Sequence, residues 1–241
     1  MICILLCAGY ATRMYPLTKN FPKPLLDING KSIIDYLIDD LESNNHIDKY
    51  VIVSNHKFIN HFNSWKEKRK EHIIVLDDGS IDNDHRMGAV KDIWFAIEKE
   101  NIYDDVLVLA GDNILDFSLR GFIDFARTKN ASCVMRYYEE NKKRLQRTGV
   151  AIVDDDNLIL EMKEKPLEPK SNWAIPPFYI FNKNSLIEIK KGIDSGCNTD
   201  APGGFIEWLS NRNKVYAYLM PGKRVDIGNL DDYYKIRGMY E

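Results

Sequence analysis

An α/β fold, with a mostly parallel central sheet and a mixed or antiparallel extension, is predicted by two features of the 241-residue sequence. Over roughly the first 130 residues, short apolar runs alternate with stretches of helical period, the pattern of parallel strands joined by helical crossovers. After about residue 131, strand follows strand with fewer helices between, which favours antiparallel pairing. A hydrophobic content of 44% supplies a full core for a chain of this length.

The elements follow in order. Residues 2–7 are an apolar run that reads as a buried strand. Residues 32–41 place Ile33, Ile34, Leu37, Ile38 and Leu41 at helical spacing, with Ser32 available as a cap. A β-branched strand covers 50–54, a helix 58–69 and a strand 72–76. The helical period returns over 88–99 through Ile93, Phe95, Ala96 and Ile97, and is followed by the wholly apolar strand 106–110 and a helix over 119–128. Strands are then expected at 133–138, 150–153, 158–162 and 178–181, short helices at 185–191 and 205–211, a strand at 215–220 and a closing helix at 231–239. No repeat and no long linker divides the chain. One domain over 1–241 is expected, with halves meeting at about residue 130. The longest polar loop, 77–87, is read as a ligand cover.

Charged residues make up 29% and the net charge is −3. With no basic excess, nucleic acid is excluded as a partner and anion binding must be local. Cys3, Cys7, Cys133 and Cys197 lack metal spacing and read as reduced thiols of a cytoplasmic protein. The first apolar run, about six residues, is too short for a signal segment or a membrane span. The five histidines share no spacing, and no Gly-x-Ser-x-Gly elbow occurs, so neither zinc nor a hydrolase triad is indicated.

Ligands of open α/β sheets gather at the carboxyl ends of strands, and four features fall there. The loop after the first strand runs Ala8-Gly9-Tyr10-Ala11-Thr12-Arg13 and on to Lys23; from Ala8 to Leu26 it carries three cations and no carboxylate. Its small residues expose backbone N–H groups, Arg13 offers a phosphate fork, and Pro22 and Pro24 stiffen Lys23. The loop is not a dinucleotide fingerprint, since Gly9 stands alone. Gly30-Lys31-Ser32 is not a P-loop, since Leu25 fills the required glycine position. Asp112, in Gly111-Asp112-Asn113, and Asp226, in Asp226-Ile227-Gly228, are candidate metal carboxylates; singly, each could equally cap a turn. Glu164-Lys165-Pro166 is either a functional strand end, broken by its proline, or a solvated charge run. Trp173, Phe178 and Tyr179 are expected in the core.

These segments resemble the sugar-1-phosphate nucleotidylyltransferases, the group that contains glucose-1-phosphate thymidylyltransferase. The family loop Gly-Gly-x-Gly-Thr-Arg-x-x-Pro-x-Thr, then a lysine, stands here as Ala8 to Thr18, then Lys23. The family's Gly-Asp-Asn is residues 111–113, its Tyr-Gly-Val is Thr148-Gly149-Val150, its Glu-Lys-Pro is residues 164–166 followed by Pro169-Lys170-Ser171-Asn172, and its Asp-x-Gly is residues 226–228. The resemblance implies a Rossmann-like three-layer sandwich and a Mg²⁺-dependent reaction of an NTP with a sugar 1-phosphate. By the same resemblance, Arg13 holds the triphosphate, Lys23 the phosphate under attack, and Asp112 and Asp226 the Mg²⁺. Lys165 takes the sugar phosphate, Glu164 and Asn113 its hydroxyls, and Gly149 belongs to the same substrate side. Backbone at Leu6, Ala8, Gly9 and Gly88 approaches base and ribose.

Two departures stand out. Ala11 replaces a glycine, so the loop is expected either to bend differently or to bind phosphate less well. The 77–87 loop lacks the family's glutamine, leaving Asp78 and Asn83 as candidate base readers and the base open. The hexapeptide-repeat domain and extra helical region of some relatives are expected to be absent, and homo-oligomer formation is left open. The competing readings are a cytidylyltransferase acting on phosphocholine or another non-sugar phosphate, and a regulatory nucleotide-sugar-binding homologue.

Overall fold

The structure, a computed structural model, describes residues 1–239. In chain order its elements are β1 (Ile2–Leu6), β2 (Asp27–Ile28), β3 (Lys31–Ser32), α1 (Ile33–Asn44), β4 (Lys49–Ser54), α2 (Ile59–Lys66), β5 (Ile73–Asp77), α3 (Ala89–Lys99), β6 (Val106–Ala110), β7 (Asn113–Leu115) and α4 (Arg120–Lys129). They continue as β8 (Ser132–Tyr138), α5 (Lys142–Leu145), β9 (Gly149–Val153), β10 (Ile159–Glu164), β11 (Trp173–Ile175), β12 (Phe178–Phe181), α6 (Leu186–Asp194), α7 (Pro202–Ser210), β13 (Val215–Leu219), β14 (Arg224–Asp226) and α8 (Leu230–Met239).

Two compact units share these elements, and both are discontinuous in sequence. The first takes Met1–Met87, Ala110–Leu119 and the segment that begins at Gly222. The second takes Gly88–Leu109 and Arg120–Pro221. The division therefore does not fall at one point near residue 130. Long-range pairing decides it: β7 and β14, more than a hundred residues apart, form an antiparallel ladder with Asp226 opposite Asn113.

In the first unit β1, β4 and β5 are all parallel, with Ile4 opposite Val51 and Val51 opposite Ile74. Cys3, Ile4, Leu5, Val51, Ile52 and Val53 are fully buried, as parallel strands covered on both faces require. The hairpin β2–β3 turns at Asn29 and Gly30, both at positive φ, which these two residue types tolerate. It delivers Ser32 to the start of α1, where the Ser32 N–H donates to the Asp35 carboxylate at 3.0 Å in a capping box. The expected face of α1, Ile33 through Leu41, is buried. One apolar cluster joins Met14, Leu26, Ile28 and Ile33 to Ile114, Ile227, Tyr233 and Ile236. This cluster fixes the 8–26 loop to one core together with Ile114 and Ile227, close in sequence to Asp112 and Asp226.

In the second unit β8 is the central strand. Along one edge it pairs in parallel with β13, Val134 opposite Ala217; along the other it pairs antiparallel with β12 and then β11. β9 pairs antiparallel with both β11 and β10. β6 runs antiparallel to β12, with Leu107 opposite Ile180. Its apolar run marks burial on both faces but carries no information on the direction of a partner seventy residues away. Phe178 and Tyr179 lie in the core, and Trp173 is half-buried beneath the Arg136 guanidinium, 4.2 Å from its ring centre. Among the described residues no helix is long and apolar enough to cross a membrane, and all four cysteines are free thiols.

Candidate active site

The loop after β1 is held by its own core residue. A 3₁₀ turn, Thr12–Met14, buries Met14 completely while Thr12 and Arg13 stay exposed. Burying a methionine side chain contributes about 1.5–3 kcal/mol, which anchors the arginine beside it. The Arg13 guanidinium has no hydrogen-bond or ion-pair partner among the described residues. Ala11 takes the left-handed conformation, φ 47° and ψ 43°. That backbone costs a non-glycine residue about 1–2 kcal/mol. It is held because the Ala11 carbonyl accepts from the Met14 N–H at 2.9 Å and from the Thr18 hydroxyl at 2.8 Å. The departure at Ala11 thus leaves the left-handed turn in place.

Lys23 opens a 3₁₀ turn between Pro22 and Pro24 and is buried, 8% exposed. Its ammonium donates to Asp112 Oδ2 at 2.6 Å. Asp112 follows Gly111, where a Cβ would sit 2.6 Å from Cys7 Sγ, so only glycine permits this approach to β1. The second Asp112 oxygen, Oδ1, accepts from Asn113 Nδ2 at 2.8 Å, and Asn113 Oδ1 accepts from Arg224 Nη1 at 2.8 Å. Asn113 is fully buried, with both ends of its amide engaged. In this arrangement it supports Asp112, where contact with sugar hydroxyls was expected. The Ile227 N–H donates to the Asp112 carbonyl at 3.2 Å, setting Asp226 beside Asp112. Half of the Asp226 side-chain surface is exposed. Crowding by protein atoms, and next the Asp112 carboxylate, push its carboxyl above the usual carboxylate range, against the pull of Lys23, Arg224 and Arg13. Two carboxylates and both predicted cations therefore share one electrostatic neighbourhood in the first unit.

A polar cavity of about 270 Å³ lies against this cluster, lined by Leu6, Gly9, Tyr10, Thr12, Arg13, Lys23, Asn83, Arg86 and Asp112 among others. A Cβ on Gly9 would meet nothing within 4 Å, so this backbone is open to a ligand. Ala8 is not part of the lining; its carbonyl accepts from Asn55 Nδ2 at 2.9 Å. Asp78 is also turned away. Its Oδ1 accepts from the Ser80 N–H and hydroxyl, both at 2.7 Å, and burial raises its carboxyl above the usual range. It organises its own loop, which the Tyr10 hydroxyl ties down by donating to the Ser80 carbonyl at 2.9 Å. Of the two candidate base readers, Asn83 alone lines the cavity.

Glu164 and Lys165 lie in the second unit. The strand β10 ends at Glu164, and Lys165 turns into the left-handed region at φ 47° ahead of Pro166. This is the break that lets neighbouring residues serve one site, at a cost of about 1–2 kcal/mol. A Cβ on Gly203 would lie 1.9 Å from Glu164 Oε2, and one on Gly149 3.1 Å from it. Two glycines therefore make the niche that the carboxylate fills. Burial raises the Glu164 carboxyl; Lys165 opposes this, and Glu207 and Asp200 add to it. The Lys165 ammonium is 3.8 Å from Asp200. Gly88, at φ 94°, lies so close to Thr199 that a Cβ would be 2.7 Å from its carbonyl oxygen. Its glycine is explained by that packing. Arg86, Gly203, Asp200 and Arg224 were missed by sequence reasoning, and none of them stands in a motif that could have signalled it.

A family model of nucleotidyl transferases matches residues 2–241. The chain belongs to the nucleotidyl transferase family. The bifunctional protein GlmU of Methanocaldococcus jannaschii is 34% identical over 235 residues, 95% of this chain and 51% of that protein. A glucose-1-phosphate adenylyltransferase of Desulfitobacterium hafniense is 27% identical over 250 residues, 97% of this chain and 62% of that protein. The chain thus spans between 51% and 62% of the length of these two curated relatives. Among solved structures, a Bacillus anthracis protein assigned as a glucose-1-phosphate thymidylyltransferase superposes with a TM-score of 0.82 at 22% identity, covering 100% of this chain and 95% of that one. The mixed α/β fold, expected from the alternation of strands and helices, is the fold found.

Proposed function

We propose that this chain carries out nucleotidyl transfer from an NTP to a sugar 1-phosphate, releasing an NDP-sugar and pyrophosphate. The observation that carries the reading is the meeting of Arg13, Lys23, Asp112 and Asp226 in one neighbourhood beside an open, polar cavity. The relatives' names supply the acceptor class, a glucose 1-phosphate or a similar sugar phosphate.

Asp112 and Asp226 would hold Mg²⁺. The donor set suits a hard cation that keeps most of its waters and takes one or two carboxylates. Desolvation first and the neighbouring Asp112 carboxylate second raise Asp226, and a divalent cation between the two carboxylates would offset their repulsion. When bound, such an ion neutralises charge on the phosphates and aligns them. The chain's own residues do the rest. The Arg13 fork binds the outer phosphates and stays on the departing pyrophosphate. Lys23 draws charge from the phosphate under attack, with Asp112 fixing its position. In the second unit Lys165 takes the acceptor phosphate and Glu164 accepts from a sugar hydroxyl. An acceptor oxygen attacks the α-phosphorus in line, and the bond to pyrophosphate breaks; no residue forms a covalent intermediate. Positioning and charge supply the rate.

The test is to incubate the protein and Mg²⁺ with each NTP and a panel of sugar 1-phosphates, phosphocholine included, and to follow pyrophosphate. Release that depends on a sugar 1-phosphate, with formation of the matching NDP-sugar, is expected. Release with phosphocholine alone, or with no acceptor, would overturn the reading.

A further inference from the structure

We propose that Arg224 is a positioning residue that sets the orientation of the Asp112 carboxylate through Asn113, an inference that rests on the nucleotidyl-transfer reading above. Four side chains form an unbroken line: Arg224 Nη1 donates to Asn113 Oδ1 at 2.8 Å, Asn113 Nδ2 to Asp112 Oδ1 at 2.8 Å, and Lys23 Nζ to Asp112 Oδ2 at 2.6 Å. A guanidinium can only donate. It therefore compels the oxygen of the Asn113 amide to face it, and the amide nitrogen is left to face Asp112. The reverse orientation would set two acceptors against each other at Asp112 and two donors against each other at Arg224. Each Asp112 oxygen then has one fixed donor, and the carboxylate cannot rotate without breaking both.

Asn113 is 0% exposed and the side chain of Arg224 15%, against 32% for Asp112 at the cavity end, so the Arg224–Asn113 bond is largely screened from water and its loss is costly. The two-residue period of β14 turns Arg224 to the same side as Asp226, with Val225 on the other. The guanidinium is accordingly also 3.9 Å from Asp226. One short strand thus contributes a carboxylate of its own and the group that aligns the other carboxylate.

Groups that orient a ligating carboxylate typically change metal affinity or activity 10- to 100-fold when removed. Arg224→Met and Arg224→Gln are expected to lower kcat by about 10- to 100-fold and to raise the Mg²⁺ concentration needed for half-maximal rate by about 10-fold, because the carboxylate that would hold the metal is no longer aligned. Asn113→Ala is expected to do the same, and the double variant Arg224→Met/Asn113→Ala to be no slower than the slower single one, since both cut one line. A second readout needs no turnover: with NTP present and sugar phosphate withheld, the Mn²⁺ dissociation constant followed by electron paramagnetic resonance is expected to rise about 10-fold in Arg224→Met. Thermal melting identifies any variant that has unfolded; if Asn113→Ala is one, the two Arg224 variants carry the test. Unchanged kcat and Mn²⁺ affinity in both Arg224 variants, or losses that multiply in the double variant, would overturn the proposal. If the parent protein transfers no nucleotide to any acceptor, the functional reading fails by itself, while the Mn²⁺ titration still decides whether Arg224 aligns Asp112.

Discussion

Ala11 shows how one residue can depart from a pattern without losing the conformation that the pattern encodes. Its left-handed backbone is held by the Met14 N–H and the Thr18 hydroxyl, so the strain is stored rather than avoided. Ala11→Gly should therefore leave the protein as stable as the parent or up to about 1 kcal/mol more stable, against the usual penalty for a new glycine. A clear drop in Tm would contradict the left-handed turn. On the proposed role of Arg13 its fork grips the outer phosphates, and Arg13→Lys should then raise KM for the NTP even though the charge remains; a full kinetic panel without change would remove the assignment. Glu164 offers a test by pH. Burial sets its folded-state pKa above the unfolded value. The ionised carboxylate therefore subtracts from stability: the cost is absent below the unfolded pKa and complete once the pH exceeds the raised one. Glu164→Gln should melt above the parent near neutral pH, with the gap closing as the pH falls through the carboxylate range. A gap that ignores pH would show that charge is not its source.

At the scale of elements, the site depends on close approaches that only glycine allows. On α7, Gly203 leaves room for the Glu164 carboxylate at the end of β10. Gly203→Ala should improve the helix by up to about 1 kcal/mol yet push the carboxylate aside, raising KM for the sugar 1-phosphate by about 10-fold or more while KM for the NTP holds. Unchanged acceptor kinetics would detach Glu164 from acceptor binding. Elements with a strong period were legible in the sequence: α1 with its Ser32 cap, the parallel strands β1, β4 and β5, and the buried run of β6. The β2–β3 hairpin is signalled by Asn29-Gly30, of which only Gly30 was read, within the rejected P-loop Gly30-Lys31-Ser32. The three-residue strands β7 and β14 were not legible, because three residues carry no period and their pairing joins Asn113 to Asp226. That pairing is what sets one candidate carboxylate beside the other.

At the scale of the molecule, the chain returns to its first unit twice, at Ala110–Leu119 and again from Gly222. Each return brings one aspartate to the loop that carries Arg13 and Lys23. Sequence order alone suggested two consecutive halves, since composition changes near residue 131 and long-range closure leaves no local mark. The residue types of the site were nonetheless readable, because each stands at the end of a strand or in a turn whose chemistry is local. What could not be read was support: Asn113, expected to face a substrate, is enclosed between Asp112 and Arg224. The central claim is that Asp112, paired with Lys23 and next to Asp226, handles the charge of the triphosphate and its metal. It is tested most directly by kcat for Asp112→Asn with Mg²⁺ as the only divalent cation: a loss of at least about 10²-fold is expected, and activity close to that of the parent would contradict the account.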